Sequence, residues 1–208
     1  MGLPVLILGE SGSGKSTSLR NFQKEELAIY NVAGKPLPFR GGTDLNRADN
    51  VSYSAIMQNM SKKKFRCYVI DDSQYLLAFE LFGRVAEKGY DKFTEMAVHF
   101  YDLIQFVIRQ MPPDCIVYFL HHTEEIDGRL KAKTVGKMLN EKLTVEGLFS
   151  IVLMAKNMDG RYIFRTHSDG RDTVKTPMGM FEQDEIDNDL KAVDAAIRDY
   201  YSMKGLKA

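Results

Sequence analysis

One octapeptide, Gly9-Glu10-Ser11-Gly12-Ser13-Gly14-Lys15-Ser16, constrains this chain more than any other stretch. It matches G-x-x-x-x-G-K-[ST] in full. Ahead of it lies the apolar run Leu3-Pro4-Val5-Leu6-Ile7-Leu8, which reads as a buried strand. Behind it, Ser16-Thr17-Ser18-Leu19-Arg20-Asn21-Phe22 reads as the opening of a helix reaching residue 25 or so. Strand, glycine loop, helix is the context in which this spacing binds phosphate. Gly9, Gly12 and Gly14 let the backbone curl with positive φ, so that successive N–H groups face an anion. The helix N-terminus adds a positive dipole end. Lys15 brings a charge to the β- and γ-phosphates, and the Ser16 hydroxyl suits Mg²⁺. Gly9, Glu10, Ser11, Gly12, Ser13, Gly14, Lys15, Ser16 and the following Thr17 are therefore the expected contacts of a nucleotide's phosphates, with Mg²⁺ as cofactor. The alternative is a glycine-rich turn that binds nothing.

The remaining chain alternates short apolar strands with helices. Strands are expected at 27–32, 65–70, 115–120, 151–155 and 162–166. Helices are expected at 52–60, 73–89, 92–110 and, from the spacing of Ile186, Leu190, Val193 and Ile197, at 185–201. Pro112-Pro113 stops the third of these. Asn157-Met158-Asp159-Gly160 makes the last two strands a hairpin. This order implies an α/β fold with a mostly parallel sheet and helices on its faces. The 208 residues fit a single domain with a docking C-terminal helix, and 44% hydrophobic residues supply a normal core. Segments 34–50, 123–149 and 167–182 read as long irregular connections, the second of them mobile.

Formal net charge is zero, so any nucleic-acid site must be a local patch. Cys67 and Cys115 lie in apolar runs and read as buried free thiols on neighbouring strands. No apolar stretch has the roughly 18 residues of a membrane span, and the N-terminus leaves no room for a leader. A soluble protein of a reducing, cytoplasmic compartment is expected.

The strand Cys67-Tyr68-Val69-Ile70 ends in Asp71-Asp72. An apolar strand closing on an acid is the second nucleotide motif, Walker B, and Asp71 is the expected Mg²⁺ partner. Asp72 either polarises an attacking water or caps the next helix. The next strand ends Leu120-His121-His122, and ligands sit at the carboxyl ends of strands in such sheets. His121 is the first candidate to sense a γ-phosphate, His122 the second. The stretch 128–137 carries Arg129, Lys131, Lys133 and Lys137. It accommodates single-stranded nucleic acid, a neighbouring subunit's γ-phosphate through Lys131 and Lys133, or only solvent. Lys62-Lys63-Lys64 reads as solvated. Lys156-Asn157-Met158-Asp159 scrambles the guanine-reading order N-K-x-D, and a protein kinase's loop has no attached lysine.

With both motifs placed, the chain resembles the RecA-like P-loop ATPases encoded by bacteriophages and prophages. The resemblance rests on Gly9–Ser16 and Val69–Asp72. It extends to His121-His122, to the stretch from Lys133 to Leu139 and on through Phe149–Leu153, and to Thr176-Pro177-Met178-Gly179-Met180-Phe181. It implies ATP bound at subunit boundaries of a ring or filament. It also implies action on single-stranded DNA in recombination or replication, in a bacterial host's cytoplasm. Such proteins often bring a lysine pair spaced by one residue to the neighbour's γ-phosphate, and Lys131-Ala132-Lys133 has that spacing. They usually place a catalytic glutamate just after the second strand; here Tyr30-Asn31-Val32-Ala33-Gly34-Lys35 holds no acid. Two classes therefore stay open: a DNA-stimulated ATPase, and an ATP-gated assembly or loading module with little turnover.

Overall fold

The computed structural model describes residues 1–136, 139 and 143–206. Lys137 and Met138, which the sequence reading places in the basic stretch and in the resemblance, lie outside them. One sheet organises the described elements. Its strands are β1 (Leu3–Gly9), β2 (Leu27–Asn31), β3 (Arg47–Asp49), β4 (Cys67–Asp71), β5 (Ile116–Ile126), β7 (Ile151–Met158), β8 (Arg161–Arg165) and β9 (Glu185–Asp187). They lie in the order β3-β2-β4-β5-β1-β7-β8-β9, and β6 (Arg129–Ala132) pairs with β5 alone. From β3 to β7 every pairing is parallel; β8 and β9 continue antiparallel. This is the expected α/β architecture: a mostly parallel sheet with helices on both faces and a late hairpin.

Alternation along the strands creates two cores. Leu6 and Leu8 of β1, Tyr68 and Ile70 of β4, and Val117 and Phe119 of β5 face one side. There they meet α1 (Tyr53–Met60), α2 (Gln74–Gly83) and α3 (Asp91–Gln110). Helix α3 presents Met96, Phe100, Leu103, Ile104 and Val107 as one apolar stripe, at helical spacing. Val5, Ile7, Cys67, Val69, Tyr118 and Leu120 face the other side, against Leu19, Phe22 and α4 (Leu190–Tyr200). Cys67 and Cys115 are both buried and free; Cys115 sits one residue ahead of β5.

Four expectations change. The helix expected at 16–25 is a single 3-10 turn, Ser16–Leu19. The Ser18 hydroxyl bonds back to the Lys15 carbonyl at 2.6 Å, and β2 begins only eight residues beyond Leu19. Backbone bonding by hydroxyls competes with helix in this way. The turn is too short for a strong macrodipole. Segment 123–149 is irregular only in part. Strand β5 runs on to Ile126 and returns as β6, through Asp127 and Gly128 at φ 51° and 73°. Two successive positive φ values make the tight hairpin turn that Asp-Gly favours. Within the irregular 34–50 stretch, residues 47–49 add β3 beside β2. The C-terminal helix starts at Leu190, where Asp189 accepts the N–H groups of Lys191 and Ala192; Glu185–Asp187 pair with β8 instead.

Helix α4 is pinned by a buried ion pair. Arg198 Nε lies 2.5 Å from Asp194 Oδ2, and the Tyr118 hydroxyl donates to Asp194 Oδ1 at 3.0 Å. Arg198 also donates to the carbonyls of Arg66, Asp114 and Lys204. Removing the cation leaves Asp194 buried and uncompensated. Arg198→Met should therefore cost about 3–5 kcal/mol of unfolding free energy, read by urea denaturation.

Candidate functional site

The carboxyl ends of β1, β2, β4 and β5 open into one cleft of about 450 Å³. Its walls include Gly12, Gly14, Lys15, Ser16, Thr17, Lys35, Asp71, Asp72, His122 and Tyr162. Strand order explains the convergence. Strand β1 has β5 on one side and β7 on the other, so the crevice falls where successive connections depart to opposite sides.

The loop after β1 is built as its glycines require, with one difference from expectation. Gly12 and Gly14 take positive φ, 78° and 95°. Gly9 does not. It is glycine because a Cβ there would lie 2.4 Å from Ser13 Oγ and 2.8 Å from the Ala155 carbonyl. Gly14 is doubly constrained, since a Cβ would meet the Tyr162 ring at 2.6 Å. Lys15 is buried, and its Nζ donates to the carbonyls of Gly9 and Glu10, each at 2.8 Å. Burial lowers its pKa to about 8, against the opposing pull of Asp72 and Asp71.

Ser16 and Asp71, 55 residues apart, meet directly: the Ser16 hydroxyl donates to Asp71 Oδ1 at 2.8 Å. Burial, and then the like charge of Asp72, push the Asp71 carboxyl up to about 6. A hydroxyl beside a desolvated carboxylate is an oxygen donor set that suits a hard divalent cation such as Mg²⁺. Beside the same loop, Asn188 Nδ2 is buried without a hydrogen-bond partner among the described residues, and it lies 3.2 Å from where a Gly14 Cβ would stand.

Asp72 is set differently. It follows β4 with φ 58°, a left-handed conformation that Asp tolerates better than most residues. Lys35 Nζ lies 2.6 Å from Oδ2, and His122 Nε2 lies 3.2 Å from Oδ1. Burial alone would raise its pKa; the bonds from His122 and Lys35 outweigh burial and hold it at about 2. Tyr75 backs this group, its ring edge-on to His122 at 5.7 Å and beneath Lys35 Nζ at 5.3 Å.

The two histidines part company. His121 pairs in register with Leu8 and packs at 5.6 Å against the Phe100 ring, on the helical face away from the cleft. It is wholly buried, with Nε2 2.8 Å from the Lys133 carbonyl and Nδ1 2.9 Å from Ser73 Oγ. A carbonyl only accepts, so Nε2 carries the proton. His121 therefore does not line the cleft; His122, one residue on and facing the other way, does. Lys131 stands opposite Glu124 in the β5–β6 hairpin, and Lys133 is exposed just beyond it. Neither lines the cleft of its own chain. Lys35 and Tyr162 line it without having been expected there. Lys35 is one residue in a stretch read as irregular, and Tyr162 reaches the loop only through the antiparallel pairing of β8.

No protein-family model matches the chain, and no curated protein sequence matches it significantly. Among solved structures, it is similar to a prototypical ATPase from the type III secretion system of pathogenic bacteria. That match has TM-score 0.44 and 11% identity, covering 74% of this chain and 51% of the other. It is also similar to the P4 protein from bacteriophage phi6 in complex with ADP, at TM-score 0.44 and 15% identity, covering 82% and 56%. This chain spans about half the length of either structure. Likeness at this level transfers no residue's role and no activity. No helix of the described residues is long and apolar enough to cross a membrane.

Burial lowers the His121 pKa to about 4, against a reference of 6.5. A base whose folded pKa is depressed contributes stability that is present above pH 6.5 and is lost as pH falls toward 4. Between pH 7 and pH 5 the loss should be on the order of 2 kcal/mol. His121→Gln keeps hydrogen-bonding capacity without the titration. Its unfolding free energy, measured in denaturant at pH 7 and pH 5, should fall less between the two than that of the parent protein.

Proposed function

We propose that this chain binds ATP with Mg²⁺ in the cleft at the ends of β1, β2, β4 and β5 and hydrolyses it to ADP and phosphate. One observation carries the reading: the 2.8 Å bond that joins Ser16 of the phosphate loop to Asp71 of the acidic strand end. Two motifs distant in sequence meet as one oxygen donor set beside a buried lysine. In this reading the Gly9–Ser16 loop and Thr17 cradle the phosphates, Lys15 neutralises them, and Ser16 and Asp71 hold Mg²⁺. When bound, Mg²⁺ offsets the charge of the β- and γ-phosphate oxygens. The Tyr162 ring, beside Gly14 and at the cleft wall, offers a face to the nucleobase.

Asp72 is the proposed general base. It takes a proton from water as the water oxygen attacks the γ-phosphorus. The bond from that phosphorus to the bridging oxygen breaks, and its electron pair leaves on ADP. His122, and not His121, is the histidine placed to orient Asp72.

Partners are read from the resemblance and the hairpin. Arg129, Lys131 and Lys133 project from β5–β6, outside their own cleft. That supports contacts beyond the chain, with single-stranded DNA or with nucleotide on a neighbouring copy in a ring or filament. A role in phage recombination or replication follows from the same resemblance. A second reading, a nucleotide-gated assembly module with little turnover, is favoured by Asp72 itself, since both its oxygens are already occupied.

ATP binding and turnover, with and without single-stranded DNA, separate these readings. Lys15→Ala should abolish binding. Asp72→Asn should retain binding and lose roughly 100-fold in hydrolysis, in the range expected for a general base. Tight binding by the parent protein with no turnover, with or without DNA, would instead support the assembly module. A parent protein that binds no nucleotide would end both.

A further inference from the structure

The turn after β2 holds no acid, yet its backbone is carefully anchored. Asn31, 1% exposed, donates from Nδ2 to the Lys35 carbonyl at 2.7 Å and to Asp49 Oδ1 at 2.8 Å. The Gly34 N–H returns to the Asn31 carbonyl at 3.3 Å. Gly34 takes φ 66°, and a Cβ there would stand 2.4 Å from Asn50 Oδ1. This turn fixes where the Lys35 side chain starts, and that side chain is 59% exposed. Its ammonium group nevertheless lies 2.6 Å from Asp72 Oδ2, on the wall of the cleft.

We infer that Lys35 is a terminal-phosphate contact in cis: it rests on Asp72 in the free protein and passes to the γ-phosphate of a triphosphate bound in the same cleft, uncovering Asp72. The inference rests on the nucleotide reading above and deepens it.

The geometry argues for an exchange of partners. Asp72 has each carboxylate oxygen engaged, one by Lys35 and one by His122. A carboxylate so held is a poor proton acceptor, and one partner must leave before it takes a proton from water. His122 is half-buried and braced by the Tyr75 ring; Lys35 is the exposed, flexible partner. Lys15 and Lys35 are the two lysines of the cleft wall. Lys15 is buried and tied to the loop carbonyls. A base that serves the γ-phosphorus must stand near it, so a cation on that base stands near it too. A terminal phosphate offers more charge and more oxygens than one carboxylate, and it draws the ammonium group away. ADP lacks that group. Lys35 would then read triphosphate against diphosphate within one chain.

A clamp that merely steadies the left-handed Asp72 backbone makes a different prediction. Isothermal titration of the 208-residue chain with MgADP and with a Mg²⁺-loaded, non-hydrolysable β,γ-imido ATP analogue separates the two. Lys35→Met should weaken the analogue roughly tenfold or more and change MgADP by less than about twofold. Lys35→Arg should recover most of the loss. Asp72→Asn, which removes the competing anion, should tighten the analogue. Equal weakening of both nucleotides by Lys35→Met, or no weakening of the analogue, with circular dichroism showing a folded variant, overturns the role of Lys35 and leaves the nucleotide site standing. A parent protein that binds neither ligand overturns both.

Discussion

Two adjacent carboxylates, Asp71 and Asp72, are buried side by side at the end of one strand, and the site is arranged around holding them there. A buried charge is costly unless paired. Each acid meets that cost in its own way. Asp71 takes the Ser16 hydroxyl, and its pKa is driven up. Asp72 takes Lys35 and His122, and its pKa is driven down. Neighbouring groups pushed in opposite directions often serve different chemical tasks. With Lys15 and Lys35 opposite two acids, the cluster is close to neutral before any ligand arrives. A triphosphate would upset that balance by several negative charges, which a divalent cation at Ser16 and Asp71 would offset.

The sheet makes this cluster possible by parity. Adjacent residues of a strand face opposite sides, so a strand end delivers its chemistry to one face only. On β4, Asp71 keeps the parity of Cys67 and Val69; on β5, His122 keeps that of Tyr118 and Leu120. Both therefore lie on the side of the phosphate-loop turn. His121 shares the parity of Val117 and Phe119, and becomes a core residue that ties Ser73 to the start of the segment after β6. The histidine pair was visible in the sequence. Which member faces the cleft depended on which face the loop turn occupies, and no local signal carries that.

Hairpins show the same division. Asp159-Gly160 and Asp127-Gly128 both adopt two positive φ values between paired antiparallel strands. The first was legible because apolar runs flank it. The second lies among Glu124, Glu125, Arg129 and Lys131, whose charges mask the strand pattern, because both strands of that hairpin stand largely outside the core. The helix expected after the phosphate loop fails for a tertiary reason as well. Phe22 and Leu19 must enter the core beneath α4, and the chain must turn back into β2.

By itself the sequence determined the phosphate loop, the acidic end of β4, the alternation of strands and helices, and hence the α/β class. Each of these is set by neighbours along the chain: glycine conformations, the two-residue period of a strand, an apolar run ending in acid. Only the tertiary structure decided the partners. It brought Lys35 to Asp72, Ser16 to Asp71 and Tyr162 over Gly14, and it turned His121 inward. Such contacts join residues far apart in sequence. They depend on strand order and on the face each residue occupies, and both emerge only when the sheet assembles.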